Sequence, residues 1–267
     1  MKQSKIRVAV AVVLVLGGFL ALNSVYHFTG GHGRVVDALI ARNVAARGGA
    51  EAWRAVDSLR LAGQMDLGQG MYVPYVMEQK RPDKMCLEFV FDDETAIQCV
   101  NGDSGWKLLP FLGRDKPEAM TDQEYREMAG GAAIDGLLFN SAERGYKVKL
   151  LGKEMIAGRA ALKLQVTLAS GAVRWIYVDE ETALEVKRES TRMLRGEERI
   201  VETFYYDWQE SDGLLIPRRQ ETQMKGDAES RLLTVDSVTV NPPINDQRFA
   251  RPSAVNNESA DNGSNSS

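Results

Sequence analysis

The segment Leu162-Lys163-Leu164-Gln165-Val166-Thr167-Leu168-Ala169-Ser170-Gly171-Ala172-Val173-Arg174-Trp175-Ile176-Tyr177 decides the fold. Apolar and polar residues alternate up to Leu168, and the large residues of the second half stand at odd positions. A two-residue turn at Ser170-Gly171 predicts the pairs Leu168 with Val173, Val166 with Trp175 and Leu164 with Tyr177, gathering the bulky side chains on one face. The chain continues through Asp179-Glu180-Glu181-Thr182 into a third strand. There Leu184 and Val186 extend the apolar face, while Glu185, Lys187 and Glu189 read as solvated. One covered face and one wet face describe an antiparallel meander.

Downstream, two registers compete. A two-residue turn at Arg195-Gly196 would set Thr203 and Tyr205 against the apolar face, whereas a three-residue loop Leu194-Arg195-Gly196 pairs Val186 with Phe204 and Leu184 with Tyr206. The hydrophobic pattern favours the three-residue loop. Leu215 to Thr222 and Leu232 to Val240 supply further strands, ended by Pro242-Pro243.

Upstream, Tyr146, Val148 and Leu150 lead into the meander. Period-two patterns also run through Leu59, Leu61, Gly63, Met65 and Leu67, and through Met71, Val73, Tyr75 and Met77, where Pro74 suits an edge or a bulge. Lys84 to Phe91 and Thr95 to Val100 form a hairpin around Asp92-Asp93 that sets Cys86 opposite Cys99. The pair falls in the closely spaced class of antiparallel neighbours, with Cα atoms about 4.5 Å apart. In an oxidising compartment such an isolated pair is expected to be joined as a structural staple. The count is about eleven strands on these patterns.

Helical spacing places Val35, Val36, Leu39, Ile40 and Val44 on a helix over Arg34 to Arg47, stopped by Gly48-Gly49, and a shorter helix follows with Trp53. In mid-chain, Thr121-Asp122-Gln123-Glu124 has the form of a capping box ahead of Tyr125 and Met128. Gly130-Gly131 interrupts that helix, and Ile134, Leu137, Leu138 and Phe139 follow. A broken helical insert between two β blocks is naturally a cover across the sheet, either a fixed core element or a movable lid.

With 267 residues, 44% apolar and 26% charged, the chain can bury one large core. Lys2, Lys5 and Arg7 precede an uncharged run from Val8 to Leu22, an export signal or a membrane anchor that puts the body outside the cytosol. Residues 1–25 are read as that signal or anchor, 26–33 as a hinge, 34–252 as one domain and the Asn/Ser-rich 253–267 as a disordered tail. Without the three basic residues at the start, the body holds 30 basic against 37 acidic residues, a net charge of −7 that argues against nucleic acid.

His27 and His32 are the only histidines and both fall in the hinge. A Ser-His-Asp triad, a Cys-His pair and a histidine zinc site are therefore unavailable to the domain, and no phosphate-binding glycine loop occurs. No cofactor and no metal are expected, and the protein reads as non-enzymatic. A carboxylate-based hydrolase is the remaining enzymatic reading. What stands out is apolar surface: Leu164, Val166, Trp175, Tyr177, Val186, Phe204 and Tyr206 with Met65, Tyr75, Met77 and Phe89 as a candidate ligand cavity. Tyr125, Met128, Ile134, Leu137, Leu138 and Phe139 would form its lid.

Several short stretches, in order, resemble the LolA/LolB-like group of periplasmic lipoprotein carriers and lipoprotein-sorting relatives. They are Ala41-Arg42-Asn43, Gly48-Gly49 and Trp53, then Arg81-Pro82-Asp83-Lys84 and Asn101-Gly102-Asp103-Ser104-Gly105-Trp106. Gly158-Arg159, Tyr177-Val178-Asp179-Glu180-Glu181-Thr182, Tyr205-Tyr206-Asp207-Trp208 and Val240-Asn241-Pro242-Pro243 complete the set. The resemblance implies an α+β, mainly antiparallel fold, a strongly curved incomplete β-barrel whose concave face is closed by helices and receives acyl chains of a lipid or lipoprotein. It also implies the periplasm, with an inner-membrane transporter or an outer-membrane acceptor as partner; a retained anchor, read from the basic and apolar start of the chain and not from the resemblance, would make residues 8–25 an inner-membrane tether. The alternative is an envelope sensor or interaction module of the RseB type on the same fold.

Overall fold

The structure, a computed structural model, describes residues 32–194 and 196–252. The signal or anchor, most of the hinge, Arg195 and the C-terminal tail lie outside the described residues. Among the described residues no helix is long and apolar enough to cross a membrane. The first helix, α1 (His32–Ala46), begins within the expected hinge, and α2 (Ala50–Arg54) follows it closely. Gly48 makes the turn between them: its φ is +111°, and a Cβ there would stand 2.1 Å from the Gly213 carbonyl oxygen. No other residue fits that approach.

Thirteen strands form one antiparallel sheet: β1 (Ser58–Gly68), β2 (Met71–Lys80), β3 (Lys84–Phe91), β4 (Glu94–Asn101), β5 (Ser104–Leu109), β6 (Arg114–Ala119), β7 (Lys147–Ile156), β8 (Arg159–Thr167), β9 (Val173–Asp179), β10 (Glu185–Leu194), β11 (Glu197–Ser211), β12 (Leu214–Met224) and β13 (Ser230–Val240). Their order is β6-β5-β4-β3-β2-β1-β13-β12-β11-β10-β9-β8-β7, and the end strands β6 and β7 do not pair with each other. The expected incomplete barrel of about eleven strands is corrected accordingly: the sheet is open, neither closed nor strongly curled, and has 13 strands. The chain builds one half outward from β1 to β6, starts again at the far edge with β7, and works back until β13 lies beside β1. Residues 120–146 must therefore travel from one edge of the sheet to the other.

That crossing explains the cover. Thr121 caps α3 (Asp122–Ala129) with the expected box: its Oγ1 accepts from the Glu124 N–H at 3.3 Å, and Glu124 Oε2 accepts from the Thr121 N–H at 2.8 Å. Met128 packs with Met85, Phe89 and Phe111 over β1 to β5. Ile134 and Phe139 follow over the middle of the sheet with Trp53, Leu59 and Leu214, and Leu137 and Leu138 reach Leu164, Val166, Ile176 and Val178 on β8 and β9 with Leu39 of α1. The insert is thus one strip of apolar anchors laid across successive strands, whose hydrophobic burial holds it in place.

The hairpin of β3 and β4 has the expected register, with Phe91 opposite Glu94 and Cys86 opposite Cys99. The cysteines form a disulfide across the strands, their Cα atoms 4.1 Å apart. It lies on the face away from the cover, packed with Trp106 and Phe249. A 3-10 turn, Asp246–Phe249, covers that patch, and the Trp106 indole donates to the Phe249 carbonyl at 2.9 Å. Nothing in the hydrophobic pattern of residues 244–249 announces this second cover. Pro74 lies in β2, between β1 and β3, rather than on an edge strand. Pairing of β2 with β3 begins only at Tyr75, however, so the missing N–H falls where β2 is locally unpaired on that side.

Two hairpin registers differ from the sequence reading, each by one residue. Between β8 and β9, Thr167 pairs with Val173, Gln165 with Trp175 and Leu164 with Ile176. Leu168 N–H donates to Ala172 and Gly171 N–H to Leu168, so the loop has three residues and closes with Gly171 at φ +85°. This is the type I turn followed by a left-handed glycine. Between β10 and β11 the opposite holds: Leu194 pairs with Glu197 and Lys187 with Phe204, leaving a two-residue turn. Val186 sits at an irregularity between Glu185 and Lys187. As a result Ile176 and Val178 face the cover, and Trp175, Tyr177, Phe204 and Tyr206 face away from it. The solvated reading of Lys187 and Glu189 is corrected too: both are buried, at 6% and 3% exposure. On that outer face Lys163 and Lys187 lie over the Tyr177 ring, Lys187 over Phe204 and Arg219 over Tyr206. Long charged side chains roof the aromatics with their stems, which is why no second apolar layer is needed there.

Candidate functional site

Between the sheet and the cover lies a cavity of about 320 Å³, inside the range of small-molecule sites, about 300–1,000 Å³. One wall is apolar. Alternation along β1, β2 and β3 brings Leu59, Leu61 and Met65, then Tyr75 and Met77, then Met85, Leu87 and Phe89 to the same side, and Met128, Ile134 and Leu137 of the insert close over them. Gly63 lets the centre of the sheet bend here: a Cβ would come within 1.9 Å of the Thr234 oxygen, at an irregularity in the pairing of β1 with β13.

The opposite wall is polar. Glu185 and Arg188 of β10, Thr203, Tyr205 and Trp208 of β11, and Arg47 from the end of α1 line it. β11 is irregular at Asp207 (φ +55°), and beyond it Trp208 takes the cavity side. Arg47 is buried, stacks on Trp53 at 4.5 Å and donates from Nη1 to the Asp135 carbonyl of the insert at 2.7 Å. Burial lowers its pKa, opposed by Glu185 and Asp135. Arg188 lies over the Tyr205 ring and meets Glu185 only at 3.6 Å. Burial pushes the Tyr205 hydroxyl up to about 12.

The insert is pinned by polar contacts on both sides. Gln79 donates to the Gly131 carbonyl at 2.7 Å, and Asp135 takes Arg81 at 2.9 Å and Arg144 at 3.3 Å. Glu127 meets Arg192 at 3.2 Å, both buried. Burial drives the Glu127 carboxyl up to about 7 from its ordinary 4.5, against the pull of Arg192 and Gln123. A raised folded pKa means that its stabilising contribution is complete below 4.5 and lost as pH climbs through about 7. Glu127→Gln removes this titration. Urea unfolding should show the variant gaining on the parent by on the order of 2 kcal/mol between pH 5 and pH 8. A constant difference would mean that Arg192 keeps the carboxylate charged throughout.

Of the residues singled out from sequence, Met65, Tyr75, Met77, Phe89, Met128, Ile134 and Leu137 line this cavity. Leu164, Val166 and Leu138 are fully buried in the core beside it, and Phe139 packs in the central cluster. Tyr125 donates its hydroxyl to the Gly102 carbonyl at 2.7 Å and lines a neighbouring cavity of about 230 Å³. Trp175, Tyr177, Phe204 and Tyr206 stand on the opposite face, and Val186 is not part of the lining. Sequence reasoning missed the polar wall. Its signal was the run Arg188-x-Ser190-x-Arg192 at alternate positions, which looks like a wet face and is an inner one.

The architecture is a large antiparallel sheet with an internal cavity under a helical cover. No family and no curated relative matches the sequence. The fold is nevertheless that of solved structures. A LolA superfamily protein from Nitrosomonas europaea shares 13% identity over 80% of this chain and 97% of its own, at a TM-score of 0.56. A DUF1329 family protein from Desulfovibrio piger gives 12%, 80%, 97% and 0.55. A putative outer membrane lipoprotein-sorting protein domain from Vibrio parahaemolyticus gives 11%, 79%, 94% and 0.53. The resemblance drawn from the sequence therefore holds for the fold.

Proposed function

We propose that this protein is a non-enzymatic carrier that holds an acyl chain of a lipid or lipoprotein in the cavity between sheet and insert. The observation that supports it most is the wall of Met65, Met77, Met85 and Met128 with Leu87 and Phe89, an adaptable apolar surface around empty space. Each methylene moved there from water contributes about 0.8 kcal/mol. The fold it shares with a lipoprotein-sorting domain points the same way. The disulfide fits an oxidising compartment, and with the basic and apolar start of the chain it favours the periplasm. Residues 8–25 would act as a tether, and an inner-membrane transporter or an outer-membrane acceptor would exchange cargo with it.

Mass spectrometry of lipids that co-purify with the protein tests this reading, with a stoichiometric acyl species as the expected result. Leu87→Asp, in the apolar wall, should lower retention at least about tenfold, the equivalent of 1.4 kcal/mol. Trp175→Asp, on the far face, should leave retention unchanged. A folded parent that carries no acyl species and takes up none when offered would overturn the proposal.

A further inference from the structure

The polar wall has a charge imbalance that its own contacts do not remove. Two guanidinium groups of that wall, Arg47 and Arg188, stand against one carboxylate, Glu185; the cavity's other acids are Asp66, which accepts from the Gly68 N–H, and Glu124 and Glu127, which meet Lys107 and Arg192. Asp135 is nearby, but Arg81 and Arg144 share its carboxylate. Arg192 is matched by Glu127. Arg174 is 7% exposed, its one hydrogen bond goes to the Val173 carbonyl at 2.9 Å, and it forms no ion pair among the described residues. It lines the second cavity, which Gly130, Ala133 and Leu137 of the insert divide from the first. Arg174 and Arg188 are diagonal neighbours on β9 and β10, since Arg174 pairs with Ser190 and Ile176 with Arg188. Burial and the nearby Arg188 together hold Arg174 near 10.

Unpaired donors mark the same place. Arg47 Nε, Arg188 Nε and Trp208 Nε1 are buried without a hydrogen-bond acceptor. All three belong to residues around the first cavity. A buried donor left unmatched costs about 1–3 kcal/mol, and a buried charge without a counterion more, so these groups call for an anion. Glu185, the carboxylate beside Arg188, lies 3.6 Å from its Nη2 and leaves Nε unbonded. An apolar wall facing a cationic, donor-rich wall is complementary to a molecule with one tail and one negative head.

We propose that the cavity selects an anionic amphiphile, its acyl chain against the methionine wall and its phosphate or carboxylate oxygens received by Arg188, with Arg47 and Trp208 as further donors. This rests on the carrier reading above and adds the charge of the cargo to it. A neutral or cationic head would leave the arginines unmatched.

Calorimetric titration of the full chain, freed of bound lipid, with decyl phosphate, decanol, decyltrimethylammonium and inorganic phosphate tests it. Decyl phosphate is expected to bind at least about tenfold more tightly than decanol, as one charge-assisted contact implies, and decyltrimethylammonium least of all. Inorganic phosphate should bind far more weakly than decyl phosphate. Arg188→Gln should cut decyl phosphate affinity about tenfold and leave decanol affinity unchanged. The comparison of ligands on the parent protein stands even if a variant fails to fold. Equal affinity for decanol and decyl phosphate overturns the head-group site and leaves the carrier intact. Inorganic phosphate as tight as decyl phosphate overturns the amphiphile in favour of a simple anion site. Binding of none of the four overturns the carrier reading itself.

Discussion

Lys187→Ala is expected to destabilise the fold by about 3–5 kcal/mol at pH 7, the range for breaking a buried ion pair from one side. Lys187 Nζ lies 2.7 Å from Glu189 and 2.6 Å from Glu202, and all three side chains are less than a tenth exposed. Tyr177 also donates to Glu189 at 3.0 Å. Without the ammonium, the two buried carboxylates keep one cation among the described residues, Lys225, half exposed, at 3.1 Å and 3.9 Å. Burial works to raise the Glu189 carboxyl, but Lys187 and Lys225 overcome it and hold it at about 2. In the parent, the contribution of Glu189 is therefore present above its ordinary 4.5 and lost as pH falls towards 2. In the variant the order reverses, since buried carboxylates that have lost their buried ammonium gain by protonation. Urea unfolding at pH 7 and pH 5 should show the deficit shrinking on acidification. A deficit below about 1 kcal/mol at pH 7 would place this cluster with exposed ion pairs in its energetics.

Trp53→Ala should cost about 3–5 kcal/mol, as for other large aromatic truncations in a core. Trp53 is 2% exposed and packs among Val44, Val56, Leu59, Ile134 and Leu214, so it joins α1, the sheet and the insert. Its indole donates to the Arg47 carbonyl at 2.9 Å, and its ring supports the Arg47 guanidinium. Trp53→Phe isolates the polar part: packing largely persists and only the indole bond is lost, about 1 kcal/mol. Because Trp53 also lines the cavity, truncation enlarges a void that already exists. Thermal unfolding of both variants gives the comparison. Equal losses for Phe and Ala would mean that the hydrogen bond, not the ring volume, secures the insert.

Local signals and long-range registers were legible to different degrees. Asp92-Asp93 takes the left-handed backbone at both positions, φ +53° and +63°, as the tight hairpin turn requires, and from that turn the Cys86 to Cys99 pairing follows by counting. Thr121 and Glu124 similarly announce their cap. The meander was harder because turn length alone decides which face each strand shows. With the loop at Ala169 to Gly171 one residue longer than read, and the turn before Glu197 one shorter, Trp175 and Phe204 moved outward together. They stayed on a common face, so hydrophobic pattern gave no warning. The physical reason is the lysines: an aromatic buried beneath Lys163 or Lys187 looks in sequence like one buried in a core. Arginines on the inner face hide the cavity's polar wall by the same ambiguity. The apolar wall was easier, since β1, β2 and β3 carry no competing charges at Met65, Tyr75, Met77 and Phe89.

An open sheet has two strands whose outer backbone groups could seed addition of another copy. At one end β7 presents exposed Lys147 and Lys149 and breaks its own regularity between Leu150 and Gly152. At the other, β6 contains Pro117, which offers no N–H, and whose carbonyl is already taken by Arg251 at 2.7 Å. An arriving strand would meet like charge and a kinked ladder on one flank and a gap in the donor row on the other. The molecule can thus leave its sheet unclosed without becoming the template for a fibre.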